Sequence, residues 1–161
     1  INGVLPDAAA ADRASRAFRE AYQAKGWGHG MAGFMALGSW QGEFTDEYFA
    51  QPAPDPAMFG MPTEDDGSRD DPLLSERSLA VIEYRLDVDR LTSVPTRVVV
   101  AVGAESGDTY TARTGRGTAA ALGQEATVFP SHHGGFLDGE FGWPGKPDEF
   151  AVRLREVLEG A

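Results

Sequence analysis

Cysteine is absent from this 161-residue chain. That excludes a disulfide scaffold, a thiol nucleophile and any cysteine-ligated metal site. Basic residues are scarce. Lys and Arg number 14 against 25 Asp and Glu, a formal net charge of −11. Nucleic acid requires a basic footprint and an anionic membrane surface attracts one, so neither is expected as a partner. No apolar run approaches the ~18 residues of a membrane-spanning helix. No basic segment followed by an apolar one opens the chain, so no export signal is expected and a soluble, cytoplasmic protein is the default. The first residue is Ile1 rather than Met, which suggests a gene product that starts upstream. What the chain does have is apolar content, 42% of its residues, enough for a core and too much for general disorder. The length suits one domain or a large piece of one.

Composition divides the chain in two. Residues 1–91 read as helices and loops. Asp7 after Pro6 is an expected N-cap, Ala8 to Lys25 an Ala-, Arg- and Glu-rich helix, and Gly26 its stop. Phe18 and Tyr22 lie four apart and share a face. A short helix is predicted over Met31 to Leu37. Trp27, Met31, Phe34, Met35 and Trp40 form a dense apolar cluster, which reads either as core or as a lid over an apolar substrate. Phe44 to Ala50 and Leu73 to Arg85 are predicted helical. Between them, residues 52–72 carry five prolines and the acids Glu64, Asp65, Asp66, Asp70 and Asp71, the pattern of an exposed, solvated and mobile loop. Asp87 to Leu91 suggests a short helical turn.

Residues 92–161 have a clearer grammar. Arg97 to Val102 is a continuous β-branched run closed by Gly103, the pattern of a parallel strand buried on both faces. Ala104 to Asp108 is a small-residue turn. Thr109 to Leu122 reads as a helix stopped by Gly123. Ala126 to Phe129 is a second short buried strand, stopped by Pro130. A glycine-rich loop spans Ser131 to Lys146. Pro147 opens a final helix with Asp148 and Glu149 in its first turn. Phe150, Leu154 and Leu158 mark its expected buried face. The β-α-β-loop-α order is that of an α/β protein.

Two of the three histidines, His132 and His133, sit in the loop directly after the second predicted strand. In open α/β sheets ligands bind beyond the carboxyl ends of strands. An imidazole there can take a proton from a hydroxyl and return it to a leaving group. A packing or hydrogen-bonding role is the plain alternative. The pair could also join Asp138 or Glu140 around a metal ion, but neighbours in an extended loop point to different sides, so no metal site is expected.

The segment Phe129-Pro130-x-x-His133-x-Gly135-Phe136, followed by Pro147-x-x-Phe150-Ala151-x-x-Leu154-x-x-Val157-Leu158, resembles the carboxyl-terminal end of an α/β-hydrolase. Val98 to Val102 with Gly103-Ala104-Glu105-Ser106 resembles the preceding strand. Leu5-Pro6-Asp7-Ala8-Ala9 resembles the stretch just after a still earlier strand in actinobacterial members. The resemblance implies a partial hydrolase fold, with residues 1–91 a helical lid and residues 92–161 the carboxyl-terminal part of the α/β core. It implies His133 as general base and no cofactor. The triad acid is expected three residues after the strand-closing glycine, where Ser106 stands. Glu105 is therefore preferred as the acid, with Asp108 on its other side. Both also suit simple turn chemistry near a helix start. The nucleophile would be a serine in a G-x-S-x-G elbow. None of the eight serines has glycine two before and two after. The expected nucleophile therefore lies upstream of Ile1.

Two functions are expected. The first is part of a hydrolase acting on a small apolar ester or related molecule, inactive as an isolated chain. An elbow serine would mean acyl transfer, and an elbow aspartate epoxide or halide chemistry. The second is a non-catalytic ligand-binding module of hydrolase-like shape. Two strands that each want neighbours on both faces also predict a partner, either a homodimer mate or the missing amino-terminal half.

Overall fold

A computed structural model describes residues 2–160, the side chains of Ile82 and Phe141 excepted. The chain is mixed α/β and divides into two compact units, Ile1–Leu86 and Asp87–Ala161. No helix among the described residues is long and apolar enough to cross a membrane.

The first unit is built on a helical hairpin, α1 (Ala8–Lys25) and α2 (Trp27–Ser39). The span of α1 is the one read from the sequence. Its buried positions, Ala11, Ala14, Ser15, Phe18 and Tyr22, follow the helical repeat and form one stripe. Gly26 turns the chain with φ +88°, and its N–H closes α1 on the Tyr22 carbonyl. Asp7 does not cap α1. Its carboxylate instead accepts from the Phe44 N–H at 2.7 Å, tying the chain beyond α2 to the start of α1. The second helix starts at Trp27, earlier than predicted, because Gly26 alone makes the turn. The helices approach closely because α2 offers glycine where α1 offers bulk. A Cβ on Gly30 would lie 2.5 Å from the Tyr22 Cβ, and one on Gly33 2.9 Å from the Phe18 Cβ. These pairs run the helices antiparallel.

Residues 52–72 are largely exposed, as expected, yet they are tied down, and their acids are more than a solvated run. Asp65 holds Arg69 through two hydrogen bonds, of 2.8 and 2.5 Å. The Arg69 guanidinium is the main reason the Asp65 carboxyl falls to about 2. Arg69 also donates to the Gln23 carbonyl of α1. Asp71 accepts from the Trp27 indole N–H at 3.1 Å and from the Leu73 and Leu74 N–H groups, while its own N–H donates to the Tyr22 hydroxyl. One aspartate thus fastens the loop to both helices of the hairpin. The predicted helix over 73–85 is reduced to a 3-10 turn, Glu76–Ser78, and one short helix, α4 (Leu79–Ile82). Likewise 44–50 gives only α3 (Asp46–Phe49).

The second unit opens with α5 (Val88–Ser93), capped by the Asp87 side chain on the Arg90 N–H at 3.0 Å. Strand β1 (Ala101–Gly103) pairs in parallel with β2 (Thr127–Phe129), and α6 (Tyr110–Ala121) links them. Helix α7 (Pro147–Glu159) follows, with Pro147 in its first turn. Two expectations are corrected. Paired strand begins at Ala101, not Arg97: residues 97–100 have no regular secondary structure, and the Thr127 N–H donates to the Val100 carbonyl. Nor are the strands buried on both faces, since Val128 is 53% exposed. On α7, Leu154 is 40% and Leu158 66% exposed, and of the expected apolar face only Phe150 packs, against Phe129 and Phe136. Within the second unit, nothing among the described residues covers the rest of that face.

Two of the four α2 glycines, Gly30 in close contact and Gly38 in open space, make a controlled pair. Gly30→Ala is expected to lower unfolding free energy by roughly 1–3 kcal/mol through overpacking. Gly38 has nothing within 4 Å of its Cβ position. Gly38→Ala should therefore be neutral or stabilising by up to ~1 kcal/mol. Urea midpoints check this, and equal effects at both sites would contradict the packing account.

Candidate functional site

The carboxyl ends of β1 and β2 carry the two segments singled out from the sequence. After β1 the chain turns through Ala104 to Asp108, and the N–H groups of Ala104 and Glu105 donate to the carbonyls of Phe129 and Ser131. After β2, Ser131 is buried and holds φ +67°, the one described non-glycine residue in the left-handed region. Gly103 sits under this bend, where a Cβ would lie 2.6 Å from the Ser131 carbonyl oxygen. A cleft of about 220 Å³ opens here, lined by Val102, Ser106, Phe129, His132, His133 and Phe136 among others.

The two histidines differ sharply. The His132 ring is held at both nitrogens. Its Nδ1 accepts from the Gly134 N–H at 3.0 Å, and its Nε2 lies 3.1 Å from the Pro144 carbonyl oxygen. An N–H can only donate, so Nδ1 is bare and the ring hydrogen sits on Nε2, pointing at Pro144. The Trp143 ring meets His132 edge-on at 6.0 Å. His132 is thus a brace inside the glycine loop. His133 is exposed on the cleft wall, and among the described residues its ring nitrogens have no hydrogen-bond partner. It has the free lone pair a base requires.

Neither acid flanking Ser106 is hydrogen-bonded to His133. Glu105 pairs with Lys146 at 2.7 Å, and that ammonium holds the carboxyl below its usual range. Asp108 pairs with Arg116 at 2.7 Å. Ser106 is buried and lines the cleft. Sequence reasoning missed Lys146 and the Pro144 carbonyl. Lys146, the only cation in the loop, was the available signal. Among the described residues no group of three His, Asp or Glu side chains is placed to hold a metal ion.

A larger cleft lies wholly within the first unit. It has a volume of about 730 Å³, inside the usual range for small-molecule sites. Its floor comes from matching helix faces, Ala14, Ala17, Ala21 and Lys25 of α1 with His29, Gly33, Ala36 and Trp40 of α2 and its end. Tyr48, Phe49 and the chain through Pro52 to Phe59 form the wall. Burial raises the Tyr48 phenol above its ordinary range. Of the apolar cluster Trp27, Met31, Phe34, Met35 and Trp40, read as core or as a lid over an apolar substrate, only Trp40 lines this cleft. The small residues on the other face of α2 open the space, and Trp27 and Phe34 are turned to Asp71 and Phe18 instead.

No protein-family model, curated protein or solved structure matches the chain.

The two imidazoles should separate in stability measurements. His132→Ala deletes two hydrogen bonds to the loop backbone and is expected to cost about 1–3 kcal/mol. His133→Ala should stay within about 0.5 kcal/mol. Chemical denaturation of both variants checks this, and a larger cost at His133 would reverse the assignment.

Proposed function

We propose that this chain is the carboxyl-terminal part of an α/β-hydrolase, with His133 as general base. One observation carries the proposal. A parallel β-α-β pair ends in a glycine-rich loop that leaves one imidazole free on the strand-end cleft. His133 would take a proton from a nucleophile supplied by another segment and return it to the leaving group. The substrate class is a small ester or related molecule with an apolar body. Residues 1–91 would serve as the lid. The uncovered apolar surface at Val128, Val152, Leu154 and Leu158 supports a partner that completes the sheet, either the amino-terminal half or a second copy. Glu105 is paired with Lys146 and is not hydrogen-bonded to His133, so orienting the ring would require its carboxylate to be repositioned.

That engagement of Glu105, with Ser106 at the expected acid position, favours a second reading, a hydrolase-shaped binding module without turnover.

The chain alone is expected to show no hydrolysis of short p-nitrophenyl esters above background and no labelling by a fluorophosphonate. Combined with the segment that precedes it in the parent gene product, ester hydrolysis should appear. His133→Ala should then lower it by about 10³-fold or more, since triad members act as a unit. Activity of the combined protein that survives His133→Ala would contradict the base assignment. Ligand binding without turnover would favour the binding module.

A further inference from the structure

We propose that the large cleft of the first unit binds an amphipathic carboxylate, of which a medium-chain fatty acid is the simplest example. Lys25 and His29 would meet the carboxylate, and the alanine-lined trough would hold the tail. The proposal is independent of the hydrolase assignment, because it uses residues 14–59 alone.

The charge pattern comes first. Asp and Glu make up 25 of the 161 residues, yet none lines this cleft, while Lys25 and His29 both do. On a protein of net charge −11 this is a local reversal of sign, and the Lys25 ammonium on an acid-free wall would favour an anion over a cation there. Among the described residues Lys25 forms no ion pair. The Asp65 carboxylate is taken up by Arg69 and the Gly67 N–H and does not line the cleft.

The shape comes second. Lys25 and His29 flank the Gly26 turn, so both stand at one end of the antiparallel hairpin. Ala14 and Trp40 stand at the other. Helical rise places Ala14 roughly 16 Å from Lys25 along α1, close to the length of an extended decanoate or dodecanoate. Between the ends the α1 and α2 faces offer mainly alanine and glycine. At the far end the Trp40 indole N–H is already donated to the Glu43 carbonyl at 3.0 Å, so this ring offers the cleft an apolar face. A cationic head site and an apolar trough of this length fit a single-chain carboxylate.

The test titrates the purified chain with decanoate, decanol and decylamine below their aggregation limits, read by calorimetry and by tryptophan emission. Decanoate should bind in one-to-one stoichiometry and about tenfold or more tighter than decanol or decylamine. Lys25→Gln and His29→Gln should each weaken decanoate by about threefold to tenfold and leave decanol unchanged. Ala21→Phe, which fills the trough, should abolish binding of both. Circular dichroism establishes that each variant is folded, and Ala17→Phe replaces Ala21→Phe if the latter is not. Equal affinity for decanoate and decylamine would overturn the proposal. So would decanoate affinity unchanged by both head-site variants, binding that survives a filled trough, or no saturable binding.

Discussion

Both units depend on backbone approaches too close for a side chain. In the hairpin, a Cβ on Gly28 would run into the Pro62 carbonyl oxygen, and Gly30 and Gly33 admit Tyr22 and Phe18. In the α/β unit, Gly103 lies under the Ser131 bend, a Cβ on Gly135 would lie 2.7 Å from the Pro130 carbonyl oxygen, and one on Gly145 2.5 Å from that of Gly135. Interiors pack at crystal-like density, so one added methyl at such a point displaces backbone rather than filling space. The chain's 20 glycines are therefore partly architectural. They bring α2 onto α1, fasten the acidic loop to the helix junction, and fold the 131–146 segment back on the strand ends.

The same closeness sorts the chemistry. In the glycine loop the Gly134 N–H and the Pro144 carbonyl reach one imidazole from both sides and fix it, while the next residue is left facing the cleft. On the hairpin, bulk at Phe18 and Tyr22 against glycine makes contact, and alanine at Ala14, Ala17 and Ala21 makes room. Contact and cavity thus come from neighbouring faces of the same two helices. The acids behave comparably: Asp65 and Asp71 are engaged in holding a loop, which leaves the nearby cleft without a carboxylate.

Elements governed by local chemistry were legible in the sequence. Helix α1 was, from its Ala-rich repeat and its closing glycine, and so were the parallel strand pair, from β-branched runs stopped by Gly103 and Pro130, and the Pro147 helix start. Those governed by tertiary demand were not. The run 97–100 has strand propensity, but pairing begins only where β2 provides a partner at Thr127. Leu154 and Leu158 have the right spacing for a core, yet spacing cannot report whether a neighbour exists to bury them. Asp7 is a good cap by type, and Phe44 wins its carboxylate. At the site, the pairing of Glu105 with Lys146 spans 41 positions, beyond any local pattern. The apolar cluster of 27–40 was visible as composition, but the cleft follows the small residues on the opposite face, a phase that becomes readable only when α2 is known to start at Trp27.

The central claim is that the glycine loop fixes one imidazole as a neutral brace and leaves the other free to act as a base. Two-bond proton–nitrogen correlation of the histidine rings in the folded chain tests it most directly. His132 should appear as a single neutral tautomer with hydrogen on Nε2 and a bare Nδ1, and His133 as the solvent-averaged mixture of an unrestrained ring. A fixed tautomer at His133 with an averaged ring at His132 would contradict the account.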